Sequence, residues 1–280
     1  MRTAVVTDST AYIPEDLRNR FNIHIVPLNV VFGEEAYREE LELTASDFYE
    51  MVRRYGQLPT TSQPPIGQFV ELYEQLSKEY DAVISIHLSS GISGTFQGAV
   101  AAGNMVEGID VHGFDSEVSC MVQGFYVLEA AKMAQEGKEP GEIIARLEEM
   151  REKSDAYFIV DDLQNLQRGG RLNGASALIG SLLQVKPILH FEDKVIVPFE
   201  KIRTKKKALK RVIELFEQDY QKGEPLQAVI IHGNAEEEAQ ELKAELEKSY
   251  PNAEFIVSYF GAVIGTHLGE GAMGLGWTIR

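Results

Sequence analysis

The stretch Ala82-Val83-Ile84-Ser85-Ile86-His87-Leu88-Ser89-Ser90-Gly91-Ile92-Ser93-Gly94-Thr95 decides the fold class. Ala82 to Ile86 reads as a buried strand, and Ser89 to Thr95 as a small-residue loop that leaves its carboxyl end and enters a helix. Upstream, Pro64-Pro65 opens a helix that buries Phe69, Leu72, Tyr73 and Leu76 at i, i+3, i+4, i+7 spacing. Further back, Thr44 and Asp47 mark another helix start, Ile23 to Phe32 reads as extended, and Thr3 to Thr7 as a buried strand. Downstream come a strand at Ile109 to Phe114 and a helix from about Ser119 to Glu136. Strands that alternate with helices predict an open, mostly parallel α/β sheet.

The pattern restarts near Asp155 with Ala156-Tyr157-Phe158-Ile159-Val160. Strands are expected at 186–190, 194–199, 227–232, 253–258 and 274–279, the first two as a hairpin around Asp193-Lys194. Helices are expected at 204–221 and 235–249. This mixture predicts an α+β second domain, with 1–155 as the N-terminal α/β domain and 156–280 as the C-terminal one. The length of 280 residues suits two domains.

Composition narrows the function. Hydrophobic residues make up 44% and charged residues 25%, an ordinary globular balance that excludes disordered and low-complexity classes. The net charge of −16 argues against nucleic acid or an anionic membrane as partner. A single cysteine, Cys120, permits no intrachain disulfide and no cysteine zinc site, which suits a reducing cytoplasm. No apolar run reaches the roughly 18 residues of a membrane span, and none resembles a signal peptide. A monomer is the default expectation.

The Ser89–Thr95 loop can hold an anion better than it can transform one. Ligands bind at the carboxyl ends of strands in open α/β sheets, and small residues with helix N–H groups attract negative charge. The loop contains no acid, base or metal ligand. A hydrolase elbow needs Gly-x-Ser-x-Gly, but Gly91-Ile92-Ser93-Gly94-Thr95 misses the last glycine by one position. The Gly-x-x-x-x-Gly-Lys-Ser/Thr phosphate loop and the His-Glu-x-x-His metal helix are both absent from the sequence. No catalytic residue, cofactor or metal is therefore expected. A stand-alone acyl hydrolase on Ser93 and His267, or a phosphate-ligand binding protein, stands as an alternative.

Other features fit an anion or a simpler structural role. Pro59-Thr60-Thr61-Ser62-Gln63-Pro64-Pro65 precedes a helix, where Thr61 or Ser62 would serve as N-cap. Asp8-Ser9-Thr10 follows the first strand, and its acid favours a structural role. Arg168-Gly169-Gly170-Arg171 presents two guanidiniums, or simply ends a helix at Gly169. Lys201 to Arg211 holds seven cations and no acid, with Arg203 and Lys206 among them. Such a run is usually a solvated helix face, yet it is anomalous in so acidic a chain. Gly265-Thr266-His267-Leu268-Gly269-Glu270-Gly271 sets a histidine among glycines that signal unusual backbone angles or close packing.

In order along the chain, Thr7-Asp8-Ser9-Thr10, Thr61-Ser62-Gln63-Pro64, Ser89 to Thr95, Asp161 to Leu172 and Thr266 to Gly274 together resemble the DegV family. Within it the chain is most similar to the fatty-acid-binding subunits of bacterial fatty acid kinase, to which Glu200 to Lys207 adds weight. It departs at Gly269-Glu270-Gly271, where many members have Gly-Pro-Gly. The resemblance implies two α/β domains with a long-chain fatty acid, such as palmitate, between them. It implies that Thr61, Ser62, Ser93, Gly94 and His267 hold the carboxylate. It also implies that a separate kinase subunit, using ATP, converts the carried acid to an acyl phosphate for phospholipid synthesis. Arg168, Arg171, Arg203 and Lys206 would then dock that partner or support phosphoryl transfer.

Overall fold

The computed structural model describes residues 2–56, 59–172 and 186–280. Strands β1 (Thr3–Asp8), β2 (Ile23–Val26), β6 (Ala82–His87) and β7 (Asp110–Asp115) form a wholly parallel sheet in the order β2-β1-β6-β7. Every residue of β1 and β6 is buried, because helices cover both faces. Ala4, Val6 and Val83 meet Phe69, Tyr73 and Leu76 of α3 (Ile66–Leu76), with Ala99 and Ala102 of α4 (Thr95–Gly103) in the same cluster. The alternate residues Val5, Ile84 and Ile86 pack in the main core with α5 (Cys120–Gln135).

A small antiparallel sheet was not foreseen. Strands β3 (Asn29–Phe32), β4 (Glu35–Arg38) and β5 (Thr60–Ser62) pair in the order β4-β3-β5. The extended stretch expected over Ile23 to Phe32 is interrupted at Pro27-Leu28, and its second half leaves the parallel sheet. Thr61 and Ser62 are therefore strand residues opposite Val30 and Asn29, not helix caps. Pro65 takes the cap position of α3, with no side-chain hydrogen bond. Thr44 does cap α2 (Ala45–Tyr55), its hydroxyl accepting the Asp47 N–H at 3.2 Å.

The second half forms one mixed sheet. Strands β8 (Asp155–Ile159), β9 (Lys186–Glu192), β10 (Val195–Ile202), β11 (Leu226–His232), β12 (Glu254–Tyr259) and β13 (Met273–Ile279) lie in the order β10-β9-β8-β13-β11-β12. Only β11 and β12 pair in parallel. The expected hairpin forms between β9 and β10, with Asp193 and Lys194 both left-handed, the backbone of a two-residue turn matched to strand twist. Helices α8 (Lys205–Tyr220) and α9 (Glu236–Ser249) pack on this sheet. Trp277 is wholly buried, and its indole N–H donates to Asp219 at 2.8 Å.

Two buried polar groups tie these parts together. Glu39, after β4, accepts from the Ser9 and Tyr12 hydroxyls and from the Val263 N–H of α10 (Ala262–Leu268). Asp8, at the end of β1, accepts the Leu88 N–H and contacts His87 Nδ1, each at 3.0 Å. His87 Nε2 meets Ser85 Oγ at 2.7 Å. The order Ser85–His87–Asp8 copies a catalytic triad, but all three side chains have zero exposure, so no substrate reaches them. Here the arrangement cross-links β1 and β6 and fixes the start of the Ser/Gly loop. Asp8→Ala is expected to lower stability by about 3–5 kcal/mol, because it strands the Leu88 N–H and His87 without their buried partner. Urea denaturation checks this, and a loss below about 1 kcal/mol would show that the network holds little.

Candidate functional site

Between the two halves runs a cavity of about 780 Å³, its open mouth included. Leu28, Leu88 and Ile92 line it from the first half, and Ala156, Phe158 and Leu275 from the second. Cys120 and Val122, at the start of α5, also line it. Gly276 lets β13 pass close to α5, since a Cβ there would stand 2.4 Å from Val122 Cγ2. From the sequence, Cys120 says only that no intrachain disulfide or cysteine zinc site can form. Its place on the cavity wall follows from a packing that no local pattern encodes.

Polar groups gather at one end. Thr61 Oγ1 and His267 Nε2 meet at 2.9 Å, across 206 positions of sequence. Gly169 abuts the other face of the ring, where a Cβ would come within 2.2 Å of His267 Nδ1. Arg171 donates from Nε to the Ile92 carbonyl at 3.1 Å and also bonds the Gly169 carbonyl. Ser93 and Gly94 follow Ile92, and the Gln63 side chain lies over Gly94, where a Cβ would be 2.1 Å from Gln63 Oε1. Thr61, Ser62, Ser93 and His267 thus line one cavity end, with Gln63 and Arg171 beside them. Among the described residues, no acid lines this cavity.

Each group is partly engaged. Ser93 Oγ accepts the Thr95 N–H at 3.3 Å and contacts Thr95 Oγ1 at 2.9 Å, so it also braces the entry to α4. Ser62 receives only a long contact from Asn29 Nδ2 at 3.5 Å. The Thr266 hydroxyl is spent on the Ala262 carbonyl at 2.8 Å and offers nothing to the cavity. His267 Nδ1 is buried with no partner among the described residues. Burial, aided by the Arg171 guanidinium, depresses the His267 pKa to about 4. With a pKa near 4 the ring is a weak base, and its Nε2 meets Thr61 while Ser93 is paired with Thr95, so it does not serve Ser93. The hydrolase alternative loses its Ser–His pair on these contacts.

The arginines separate into two places. Arg171 stands at the cavity mouth, whereas Arg168 is exposed and lines an outer vestibule of about 980 Å³ shared with Thr61, Arg171 and His267. Helix α7 (Gln164–Arg168) ends there, but the left-handed residue is Gly170, at φ 69°, not Gly169. Gly169 is instead needed for its contact with His267. In the basic run, Lys205 pairs with Glu238 at 2.8 Å, and Arg211 pairs with Glu200 at 2.8 Å and with Glu214. Arg203 and Lys206 are exposed with no ion pair among the described residues.

Without ligand, His267 should titrate near pH 4 in an NMR pH series. The unfolded chain, with histidine near 6.5, binds the proton more readily, so stability falls as pH drops from about 6.5 to about 4. The contribution is on the order of 3 kcal/mol. His267→Gln should flatten that part of the stability profile. A His267 that titrates near 6.5 would contradict the enclosed, neutral ring.

A family model for DegV proteins of uncharacterised function matches residues 2–280. The chain is 62% identical over 281 residues to protein DegV of Bacillus subtilis strain 168, with all of both chains covered. Its fold matches the crystal structure of DegV, a fatty acid binding protein from Bacillus subtilis, with TM-score 0.96, 62% identity and full coverage of both chains. A DegV family protein from Thermus thermophilus, described for its fatty acid binding, matches with TM-score 0.93 and 33% identity, again over the whole of both chains. With a family model over residues 2–280 and a relative 62% identical over its whole length, the chain belongs to the DegV family.

Proposed function

We propose that this protein binds a long-chain fatty acid such as palmitate and presents its carboxylate to a separate ATP-dependent kinase subunit. The observation that carries the reading is the largely apolar cavity where Thr61, Ser62, Ser93 and His267 gather, with no acid among its described lining residues. The two domains, 1–155 and 156–280, would close on the chain. Burial stabilises a lipid tail by about 0.8 kcal/mol per methylene, so roughly fourteen methylenes give on the order of 11 kcal/mol before ordering costs. Thr61, Ser62, Ser93, the Gly94 N–H and His267 would hold the carboxylate by neutral donors, with Arg171 beside them. Affinity then comes from the tail and orientation from the polar end.

The reading makes the protein a carrier and not itself the enzyme. Its sequence lacks a nucleotide phosphate loop, so the phosphoryl donor and its binding site belong to the partner. The vestibule with Arg168 and Arg171 opens over the carboxylate end and suits a phosphoryl group in transit. Arg203 and Lys206 would draw the partner by charge. The acyl phosphate product would feed phospholipid synthesis in the cytoplasm.

Mass spectrometry of lipid extracted from the purified protein tests the first step. A stoichiometric fatty acid is expected, and a preparation that neither carries nor takes up one would sink the reading. Ser93→Ala should weaken fatty acid binding by about 1.5–3 kcal/mol, the loss of one hydrogen bond to a charged group. Wild-type affinity in that variant would remove Ser93 from the site. Arg203→Glu with Lys206→Glu should leave lipid content and thermal stability unchanged while slowing coupled phosphorylation, which should itself weaken as salt rises. Turnover indifferent to both would return the basic run to a solvated face.

A further inference from the structure

Glu39 is a buried acid that the sequence reading passed over and that no ligand contact uses. Its side chain has zero exposure, and no cation pairs with it among the described residues. Three donors converge on it: Ser9 Oγ at 2.6 Å, Tyr12 OH at 2.9 Å and the Val263 N–H at 2.7 Å. The Tyr12 hydroxyl accepts in turn from the Ile264 N–H at 3.4 Å. Two free N–H groups at the start of α10 are thus claimed by groups from the first half of the chain. Burying a carboxylate without a cation is costly unless such donors replace its water.

The consequence falls on the cavity. Helix α10 is only seven residues long, and His267 lies one turn beyond Val263. Val263, Ile264 and His267 all line the cavity. The helix is gripped along its length. A Cβ at Gly261 would stand 2.3 Å from the Tyr12 ring, and one at Gly265 would stand 2.8 Å from Tyr49 OH. The Tyr49 hydroxyl also donates to the Phe260 carbonyl at 2.9 Å. A rotation or slide of α10 at Val263 would therefore move the imidazole off Thr61 directly. We propose that Glu39 is a positioning residue for the carboxylate end of the cavity: by holding the first turn of α10 it fixes where His267 meets Thr61. This deepens the fatty-acid-binding reading and rests on it for the ligand's chemistry.

The test compares Glu39→Ala with Glu39→Gln. The glutamine keeps one oxygen to accept from Tyr12 and Val263, which holds the first turn of α10, and deprives only the Ser9 hydroxyl, itself an acceptor for the Leu28 N–H, of its acceptor. Binding of hexadecanoate and of 1-hexadecanol separates the carboxylate end from the tail. Glu39→Ala should lose about tenfold or more in hexadecanoate affinity, while hexadecanol changes by less than about threefold. Glu39→Gln should recover the acid's affinity to within about threefold of wild type. In the lipid-free protein, NMR should show the His267 pKa rising from about 4 in Glu39→Ala and staying there in Glu39→Gln. Equal loss of acid and alcohol, or no loss of either, overturns the inference, as does an unmoved His267 titration in Glu39→Ala. If Glu39→Ala does not fold, Tyr12→Phe removes one donor and should give a smaller loss confined to the acid; wild-type affinity for the acid there overturns the inference. A wild-type protein that binds neither lipid overturns the fatty-acid reading alone, and the His267 titrations then decide the role of Glu39.

Discussion

Thr61 lies on a strand of the small sheet, His267 on a short helix packed against it, and their side chains meet at 2.9 Å where the cavity turns polar. A hydroxyl and an imidazole so placed can offer hydrogen bonds to an anion without burying a full charge of their own. The contact needs the small sheet to hold Thr61, α10 to hold His267, and Gly169 to leave room for the ring. Much of the architecture at the junction of the halves converges on this one pair.

The cavity divides two physical tasks. Its walls are apolar side chains drawn from the mixed sheet, from α5 and α10 and from loops of the first half, and such a surface gains from burying hydrocarbon without regard to direction. Direction must come from the polar end, because a carboxylate cannot follow its tail into an apolar slot without losing its hydration. In the proposed function this asymmetry would leave the carboxylate facing the vestibule and a partner. The neutral state of His267 serves the same end: a ring held near pKa 4 adds no buried cation that would itself need a counterion.

Buried polar networks hold the loops that such a site requires. Asp8 fixes the chain at Leu88, just before the Ser/Gly loop, and Ser89 donates to the Lys194 carbonyl of the β9–β10 turn at 2.6 Å. Gly91 passes that turn so closely that a Cβ would lie 2.3 Å from the Lys194 oxygen. Ser90 N–H and Lys194 Nζ both bond the Asp115 carboxylate. The loop is thus clamped from β1, from β7 and from the second sheet. A loop of small residues has little packing of its own, so its shape has to be imposed from outside.

The sequence by itself determined the class of fold and most of its strands and helices, though not the small β4-β3-β5 sheet, because period-2 and period-3.6 patterns are local. Ala82 to Ile86 and Thr3 to Thr7 read as buried strands, and Phe69, Leu72, Tyr73 and Leu76 as one face of a helix. The Ser89–Thr95 loop was legible for the same reason: small residues between a strand and a helix mark an anion-tolerant turn wherever they occur. The family pattern singled out Thr61, Ser62, Ser93, Gly94 and His267, and the fold gathers them at one cavity end. Tertiary structure alone decided that Thr61 is a strand residue, that Arg171 turns into the cavity mouth while Arg168 faces solvent, and that Cys120 and Gly276 form cavity wall. It alone singled out Glu39 from 43 acidic residues, since nothing in Arg38-Glu39-Glu40 marks which carboxylate is buried. The reason is physical: burial, pairing and pKa are set by groups that are distant in sequence, and Glu39 meets its partner Val263 across 224 positions.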